Sequence, residues 1–403
     1  MKLVLKFDQM KKGSIAIVGT GPAALMAGTI LVENGCDVEF YDHKKAPARK
    51  FLVAGHGGFN LTNAEELASF CDKYDSQLIK NAVQFFTPQN FIDFLAKIGI
   101  ETYVGSSGKI FPKKGIKPIE VLNSWLNYLT NNGALFHFEH KLIDINGVHL
   151  VFDTKQGQVK IDAKTTIIAL GGASWSQTGS LGDWFELFEK KNIQCFPFES
   201  SNSGLVLDAN FLDRALEGGF IKNCRFFSSE YSKLGDVVLT RYGLEGAPAY
   251  AMNRDFRNGQ KIWVDFKPML KESDIVIRLK MAKNMTDGLK KLKLSKIVIH
   301  WIKKAITKED YLNVEIMAKY IKSFELPVVD LRPIDEVIST VGGIAINEID
   351  ENFELNKLPN FYCVGEMLDW DAPTGGFLIQ GAVSTGAKAA HSILLNLDRF
   401  EVN

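Results

Sequence analysis

Apolar residues in this 403-residue chain come in short blocks divided by glycine clusters, and the spacing inside each block separates strands from helices. Ile15 to Val18 is an unbroken apolar run with β-branched residues, as in a strand buried on both faces. It stops at Gly19-Thr20-Gly21-Pro22-Ala23-Ala24. Apolar positions return at roughly helical spacing through Leu25, Met26, Ile30 and Leu31, and Asn34-Gly35 ends the helix. A second strand, Val38 to Tyr41, leads to Asp42.

Further on, Pro88 to Ile98 and Pro118 to Leu129 read as amphipathic helices. Leu135 to His140, Leu142 to Ile145, His149 to Phe152 and Gln158 to Ile161 are expected to form a small antiparallel meander. Thr165 to Leu170 is again a buried strand, ending at Gly171-Gly172. From about Phe196 the pattern changes to strands with Gly/Asn turns: Gly204 to Asp208, Gly219 to Phe227, Asp236 to Thr240 and Lys261 to Phe266. Lys267 to Lys322 reads as helices. The last part holds a strand at Phe361 to Val364, the turn Gly365-Glu366, and a helix opened by Thr374-Gly375-Gly376-Phe377. The N-terminal half cannot close its own sheet, so the C-terminal segment is expected to complete it.

The pattern predicts an α/β fold: a Rossmann-like domain of parallel sheet plus small meander, with an inserted β domain and an inserted helical domain. The expected boundaries are 1–195 and 332–403 for the Rossmann-like domain, 196–266 for the β insert and 267–331 for the helical insert.

The first turn carries chemistry. G-x-G-x-x-A between a strand and a helix is the dinucleotide-binding pattern: Gly19 permits the turn, Gly21 lets the backbone approach a pyrophosphate, and Ala24 keeps the helix close to the strand. The phosphates meet the positive end of the helix, whose first N–H groups lack partners. Asp42 lies about 20 residues on, where a ribose-binding acid is expected. The alternative is a Gly-rich turn in an ordinary parallel sheet.

Composition narrows the setting. A 46% hydrophobic, 23% charged chain with zero formal net charge is a globular protein with no global pull towards nucleic acid or anionic lipid. No run approaches the roughly 18 apolar residues of a membrane span, and the N-terminus lacks a signal-peptide core, so the expected location is cytoplasmic. Five scattered cysteines form no C-x-x-C pair, which argues against a disulfide framework, a zinc site and a redox dithiol. Lys267 to Lys322 holds fourteen Lys/Arg against six Asp/Glu. A solvated helical face explains this better than nucleic-acid binding, because stacking aromatics are not interleaved with the lysines.

Two loops are candidates to face a ligand. Phe51 to Asn63 places three glycines, Gly55, Gly57 and Gly58, among His56, Asn60 and Thr62, with Lys50 just before it. Gly105 to Pro112 is a Gly/Ser loop carrying Lys109. Arg241, Tyr242 and Glu245 add candidates from the β insert. His56 is apt for proton transfer near neutral pH, a structural hydrogen bond being the alternative.

In this order the segments resemble FAD-dependent oxidoreductases, and more closely the BaiN-like (YhiN, aminoacetone-oxidase-like) three-domain bacterial flavoproteins. The matching pieces are GTGPAA at Gly19, KFLVAGHGGFNLTN at Lys50, GSSGKIFP at Gly105, IIALGGASW at Ile167, TRYGLEGAP at Thr240, STVGGIAI at Ser339 and VGEMLDWDAPTGGFLIQGAVSTGAKAA at Val364. The chain departs from the commoner family loop by having Gly58 and Phe59 where Arg and Cys are usual.

The resemblance implies bound FAD. Gly19, Gly21, Pro22, Ala23 and Ala24 would face its pyrophosphate, and Asp42 and His43 its adenosine ribose. Ala169, Gly171 and Gly172 would lie beside the adenosine and diphosphate. Lys50, Gly57, Asn60, Thr62, Gly365, Glu366 and Asp369 would line the rest of the cofactor. Gly375, Gly376 and Phe377 would set a helix N-terminus at the pyrimidine end of the flavin. His56, Lys50, Asn60, Lys109, Arg241 and Tyr242 are the catalytic candidates. The implied activity is oxidoreduction of a small organic substrate, either reduction of an unsaturated or carbonyl compound or oxidation of an amine. With no second G-x-G-x-x-G, NADH or NADPH is expected only as a transient electron donor. A tRNA-modifying flavoprotein and a non-catalytic flavin sensor are the alternatives.

Overall fold

The computed structural model describes residues 6–8, 15–53, 58–105 and 107–401. It divides into two compact units, residues 1–199 with 340–403, and residues 200–339.

The first unit is built on a six-stranded sheet. Its order is Glu354–Leu355, Leu358–Cys363, Thr165–Ile168, Ile15–Val18, Val38–Asp42 and Leu135–Phe138. All neighbours run parallel except the Glu354–Leu355 edge. Ile15, Ala16, Ile17 and Val18 are all buried, which explains a strand that is apolar at every position rather than at alternate ones. The C-terminal strand Leu358–Cys363 pairs with Thr165–Ile168, so the sheet is completed from the far end of the chain.

The helix Pro22–Glu33 follows the first strand, with proline at its first turn. Its end is closed by Cys36 N donating to Leu31 O and Gly35 N to Val32 O. Ten of its twelve residues, Ala23 to Val32, are buried. One face meets the C-terminal helix Phe377–Glu401, where Gly386 lies on Ala23.

Two expectations are corrected here. Leu135–Phe138 belongs to the parallel sheet, as partner of Val38–Asp42, and not to the meander. The meander is Lys141–Asn146, His149–Thr154 and Gly157–Asp162, with Lys6–Asp8 added in parallel at its edge. Likewise the lysine expected on a loop, Lys109, starts the strand Lys109–Pro112, which pairs with Thr62–Asn63 and Thr102–Val104. The glycines around it make the hairpin turn, with Gly105 N donating to Lys109 O.

The second unit has a seven-stranded sheet in the order Phe324–Glu325, Trp263–Asp265, Phe220–Phe227, Ser232–Leu239, Gly243–Glu245, Leu205–Leu207 and Val328–Leu331. Helices between Glu272 and Lys322 cover it. Strand and helix residues, among them Phe226, Val264, Trp301 and Phe324, share one core.

Candidate functional site

In the first unit the chain reverses direction across the sheet at the strand Ile15–Val18: Val38–Asp42 lies on one side of it and Thr165–Ile168 on the other. Open α/β sheets bind ligands outside the carboxyl ends of the strands at such a switch point. Here those ends are Gly19 and Ala169-Leu170-Gly171. Gly19 has φ +107°, and a β-carbon on it would stand 2.2 Å from the Ala169 carbonyl oxygen. Only glycine fits. A β-carbon on Gly21, by contrast, would meet nothing within 4 Å among the described residues.

Gly21 is the N-cap of the helix Pro22–Glu33, no side chain caps it, and the first turn carries no acid. Ala23 and Ala24 N–H groups therefore keep their positive pole for an anion. Asp42 closes the neighbouring strand. Its carboxylate accepts from the Thr20 hydroxyl on Oδ2 and from Lys44 N at 2.8 Å on Oδ1. Thr20 is itself fixed by Ala48 N at 3.0 Å.

Beside these strand ends is a recess bordered by Gly19, Asp42, His43, Leu170, Gly179 and Trp184. Trp184 Nε1 donates to Gly171 O at 3.1 Å and Ser180 Oγ to Gly172 O at 2.6 Å, which shapes the second glycine turn. Among the described residues, His43 Nε2 is buried without a hydrogen-bond partner. Burial lowers the His43 pKa, with Lys44 acting in the same direction and Asp42 against it.

The C-terminal segment packs against the same helix start. Gly365 lies against Ala23, its would-be β-carbon 3.0 Å from the Ala23 methyl. Glu366 pairs with Lys50 at 2.6 Å and accepts from Thr340 N at 3.3 Å. Asp369 accepts from Gly342 N at 3.0 Å, so its carboxylate holds a neighbouring turn.

Gly375 and Gly376 precede the C-terminal helix, with φ of +120° and +100°. They are pinned from the loop side. The Asn60 amide oxygen accepts from Gly376 N at 2.5 Å, and Asn63 Nδ2 donates to Gly375 O at 3.1 Å. Thr62 Oγ1 donates to Gln380 Oε1 at 2.8 Å, and Tyr74 OH to Phe377 O at 2.6 Å. The Phe377 ring is buried and packs on Phe70. Lys109 passes beside the same turn, its Cε 3.7 Å from where a Gly375 β-carbon would be.

The structure thus gathers Gly19 to Ala24, Asp42, His43, Lys50, Asn60, Thr62, Lys109, Ala169 to Gly172, Gly365, Glu366, Asp369 and Gly375 to Phe377 in one unit. His56 and Gly57 lie outside the described residues. Arg241 and Tyr242 belong to the second unit. There Arg241 is exposed, and Tyr242 donates to Glu245 Oε1 while Tyr250 donates to Glu245 Oε2. The Arg332 guanidinium lies 4.0 Å above the Tyr242 ring. Burial and the shared carboxylate raise both phenol pKa values, so both tyrosines stay protonated. Thr20, Asn63, Tyr74, Trp184, Thr340 and Gln380 are positioning residues that sequence reasoning did not single out. Thr20, Asn63, Thr340 and Gln380 stand inside the recognised segments, but the pairing of Gln380 with Thr62 across 318 residues left no local signal.

A cleft at the switch point, an uncapped helix start and an acid at the end of the next strand define a Rossmann-type dinucleotide-binding protein. The family model described as the HI0933-like protein Rossmann domain matches residues 13–392. The chain belongs to that family, the BaiN- and YhiN-like FAD-dependent oxidoreductases. It is similar to the ribosomal RNA dihydrouridine synthase of Haemophilus influenzae, 23% identical over 393 residues that cover 94% of this chain and 97% of the relative. It is also similar to the 3-dehydro-bile acid delta(4,6)-reductase of Clostridium scindens, 22% identical over 424 residues, 94% and 98% of the two chains. In fold it is similar to the 3-ketosteroid-delta4-(5alpha)-dehydrogenase of Rhodococcus jostii RHA1, at a TM-score of 0.51 and 13% identity over 97% and 98% of the two chains.

The residues present fit FAD. The space that the described residues leave at Gly21, an uncapped helix start and the orphaned His43 Nε2 are what a pyrophosphate and an adenosine would satisfy. Among the described residues no group of acids, cysteines and histidines could hold a metal ion, and no helix is long and apolar enough to cross a membrane.

Proposed function

We propose that this protein is an FAD-dependent reductase of a carbon–carbon double bond conjugated to a carbonyl group. FAD, when bound, supplies hydride transfer. The chain supplies the rest. The Ala23 and Ala24 amides take the pyrophosphate, and Asp42, oriented by Thr20, takes the ribose hydroxyls.

The observation that carries the reading is the start of the C-terminal helix. Asn60, Asn63 and Tyr74 hold Gly375 to Phe377 in one conformation, with Lys109 alongside. The helix pole and the ammonium both favour negative charge at that end of the site. Such an environment stabilises the reduced, negatively charged cofactor and so favours its loading with a hydride. The names of two relatives support the same bond type, since making dihydrouridine and delta(4,6) reduction both saturate a conjugated C=C bond. NADH or NADPH is the proposed electron source.

Anaerobic titration of the purified holoprotein tests this. The expected result is flavin bleaching by NADH or NADPH, then reoxidation by a conjugated enone or a uracil-containing acceptor, with product mass increased by two hydrogens. Flavin that ignores both nicotinamides but is bleached by an amine would overturn the reading in favour of an amine oxidase.

A further inference from the structure

The second unit contains a cationic recess far from any glycine turn of the Rossmann type in sequence. Three lysines border it: Lys222 on the strand Phe220–Phe227, Lys267 after the strand Trp263–Asp265, and Lys293 after the helix Met285–Lys291. It has about 720 Å³ of space, part of it open to solvent, and among the described residues no Asp or Glu lines it.

Its geometry follows from an incomplete pairing. Trp263–Asp265 pairs with Phe220–Phe227 only through Arg225 to Phe227, so among the described residues the edge from Phe220 to Asn223 has no strand partner on that side. The start of the helix Lys296–Ala305 lies there instead, with Ile297 against Gly219 and Ser295 capping Val298 N at 3.3 Å. Buried Ile221 and Val298 floor the recess.

The charges are uncompensated. None of the three lysines forms an ion pair with a carboxylate among the described residues. Two acids on the neighbouring strands are committed elsewhere: Asp236 accepts from Asn223 N at 2.7 Å, and Asp265 pairs with Lys322 at 2.5 Å while accepting from Lys267 N at 2.8 Å. Lys267 Nζ donates to the backbone carbonyl of Lys293 at 3.1 Å, which holds its ammonium on the segment that carries Lys293. Burial and the Lys293 charge both lower the Lys267 pKa. Lys293 is also held at φ +54°, in the helix-ending position where Leu294 N reaches Leu289 O at 3.2 Å. Glycine would be about 1 kcal/mol easier there. At the mouth stands Phe220, 56% exposed, with Lys222 Nζ 6.0 Å from its ring centre.

Like charges converging over a partly dry floor call for an anion, and an exposed ring beside them offers a stacking face. We propose that this recess binds the phosphate of a nucleotide, with the base against Phe220. The sources are a single-stranded RNA segment or a free nucleotide. The helical segment was expected to be only a solvated face because no aromatic is interleaved with its lysines; the strand Phe220–Phe227 brings one from elsewhere in the sequence. This site does not rest on the double-bond reading, and its test reads binding rather than turnover.

The probe is a short fluorescent oligouridylate, titrated by anisotropy into the full-length FAD-loaded protein at several KCl concentrations, with UMP as competitor. Binding is expected with a log–log salt slope of about −2, from about 0.7 per lysine–phosphate contact. Lys222→Glu with Lys293→Asn should weaken it about tenfold and flatten the slope. Phe220→Ser should weaken it with the slope kept. Lys222→Glu alone, at an exposed strand position, should move affinity the same way, so a misfolded double variant does not decide the matter. UMP that competes as well as the oligonucleotide identifies a free nucleotide as the source; UMP that competes poorly identifies the strand. The proposal is overturned if neither probe binds, or if Lys222→Glu binds the oligonucleotide with unchanged affinity and slope.

Discussion

Gly386 of the C-terminal helix lies against Ala23 in the first turn of the first helix, so closely that a β-carbon at 386 would stand 2.1 Å from the Ala23 carbonyl oxygen. The contact sets the spacing of the site. From Gly386 back to Phe377 the helix runs about 14 Å at 1.5 Å per residue, so the two helix starts are held apart at a length suited to one extended ligand. Gly386→Ala should force the helices apart. It is expected to cost about 1–3 kcal/mol and to release flavin, read as a lower Tm and a reduced flavin-to-protein ratio after gel filtration.

Asn60 satisfies the Gly376 amide, and the substitution Asn60→Ala leaves that group without its partner. A stability loss of about 1–3 kcal/mol is expected, with Asn60→Asp retaining more of it because an acceptor remains. Thermal melts of the three proteins check the order.

Lys109 stands beside the Gly375 turn. If its charge favours the hydride-loaded cofactor, Lys109→Met should lower the two-electron flavin potential by about 30 mV, the equivalent of about 1.4 kcal/mol. A dye-coupled reductive titration reads this directly. A potential unchanged within error would remove Lys109 from the electrostatics of the site.

His43 gives a pH signature. Burial lowers its pKa from 6.5, so below that value the unfolded chain binds a proton that the folded protein resists. Its contribution is therefore fully present above 6.5 and is lost as pH falls through the lowered folded value. Tm should decline as pH falls from about 6.5, and His43→Gln should remove that part of the slope.

The cysteines should be inert. Burial pushes the Cys195 and Cys224 thiols up to about 12, raises Cys71, and raises Cys363 well above its usual range. At about pH 8 a disulfide reagent should label the native protein quickly at Cys36 at most, and all five thiols only after unfolding. Fast labelling at Cys363 would contradict the packing of the completed sheet.

By itself, the sequence determined the parts whose causes are local. An all-apolar run stopped by Gly19, a proline-started helix and a second strand ending in Asp42 need only neighbouring residues to declare a strand, a turn and a helix, and they did. The resemblance of the spaced segments to one flavoprotein family extended this to the cofactor. What lay beyond it depended on partners distant in sequence. Leu135–Phe138 looked like its meander neighbours because a short strand carries no label for the sheet it joins; the open edge of Val38–Asp42 decided that. Lys109 became a strand residue because Thr62–Asn63 and Thr102–Val104 were there to pair with its segment. Gln380 under Thr62, Gly386 on Ala23 and Phe220 beside three lysines are all meetings between segments that share no periodicity. Local propensity selects elements through contacts a few residues apart, whereas a site is made by long-range packing, so only the tertiary structure could assemble it.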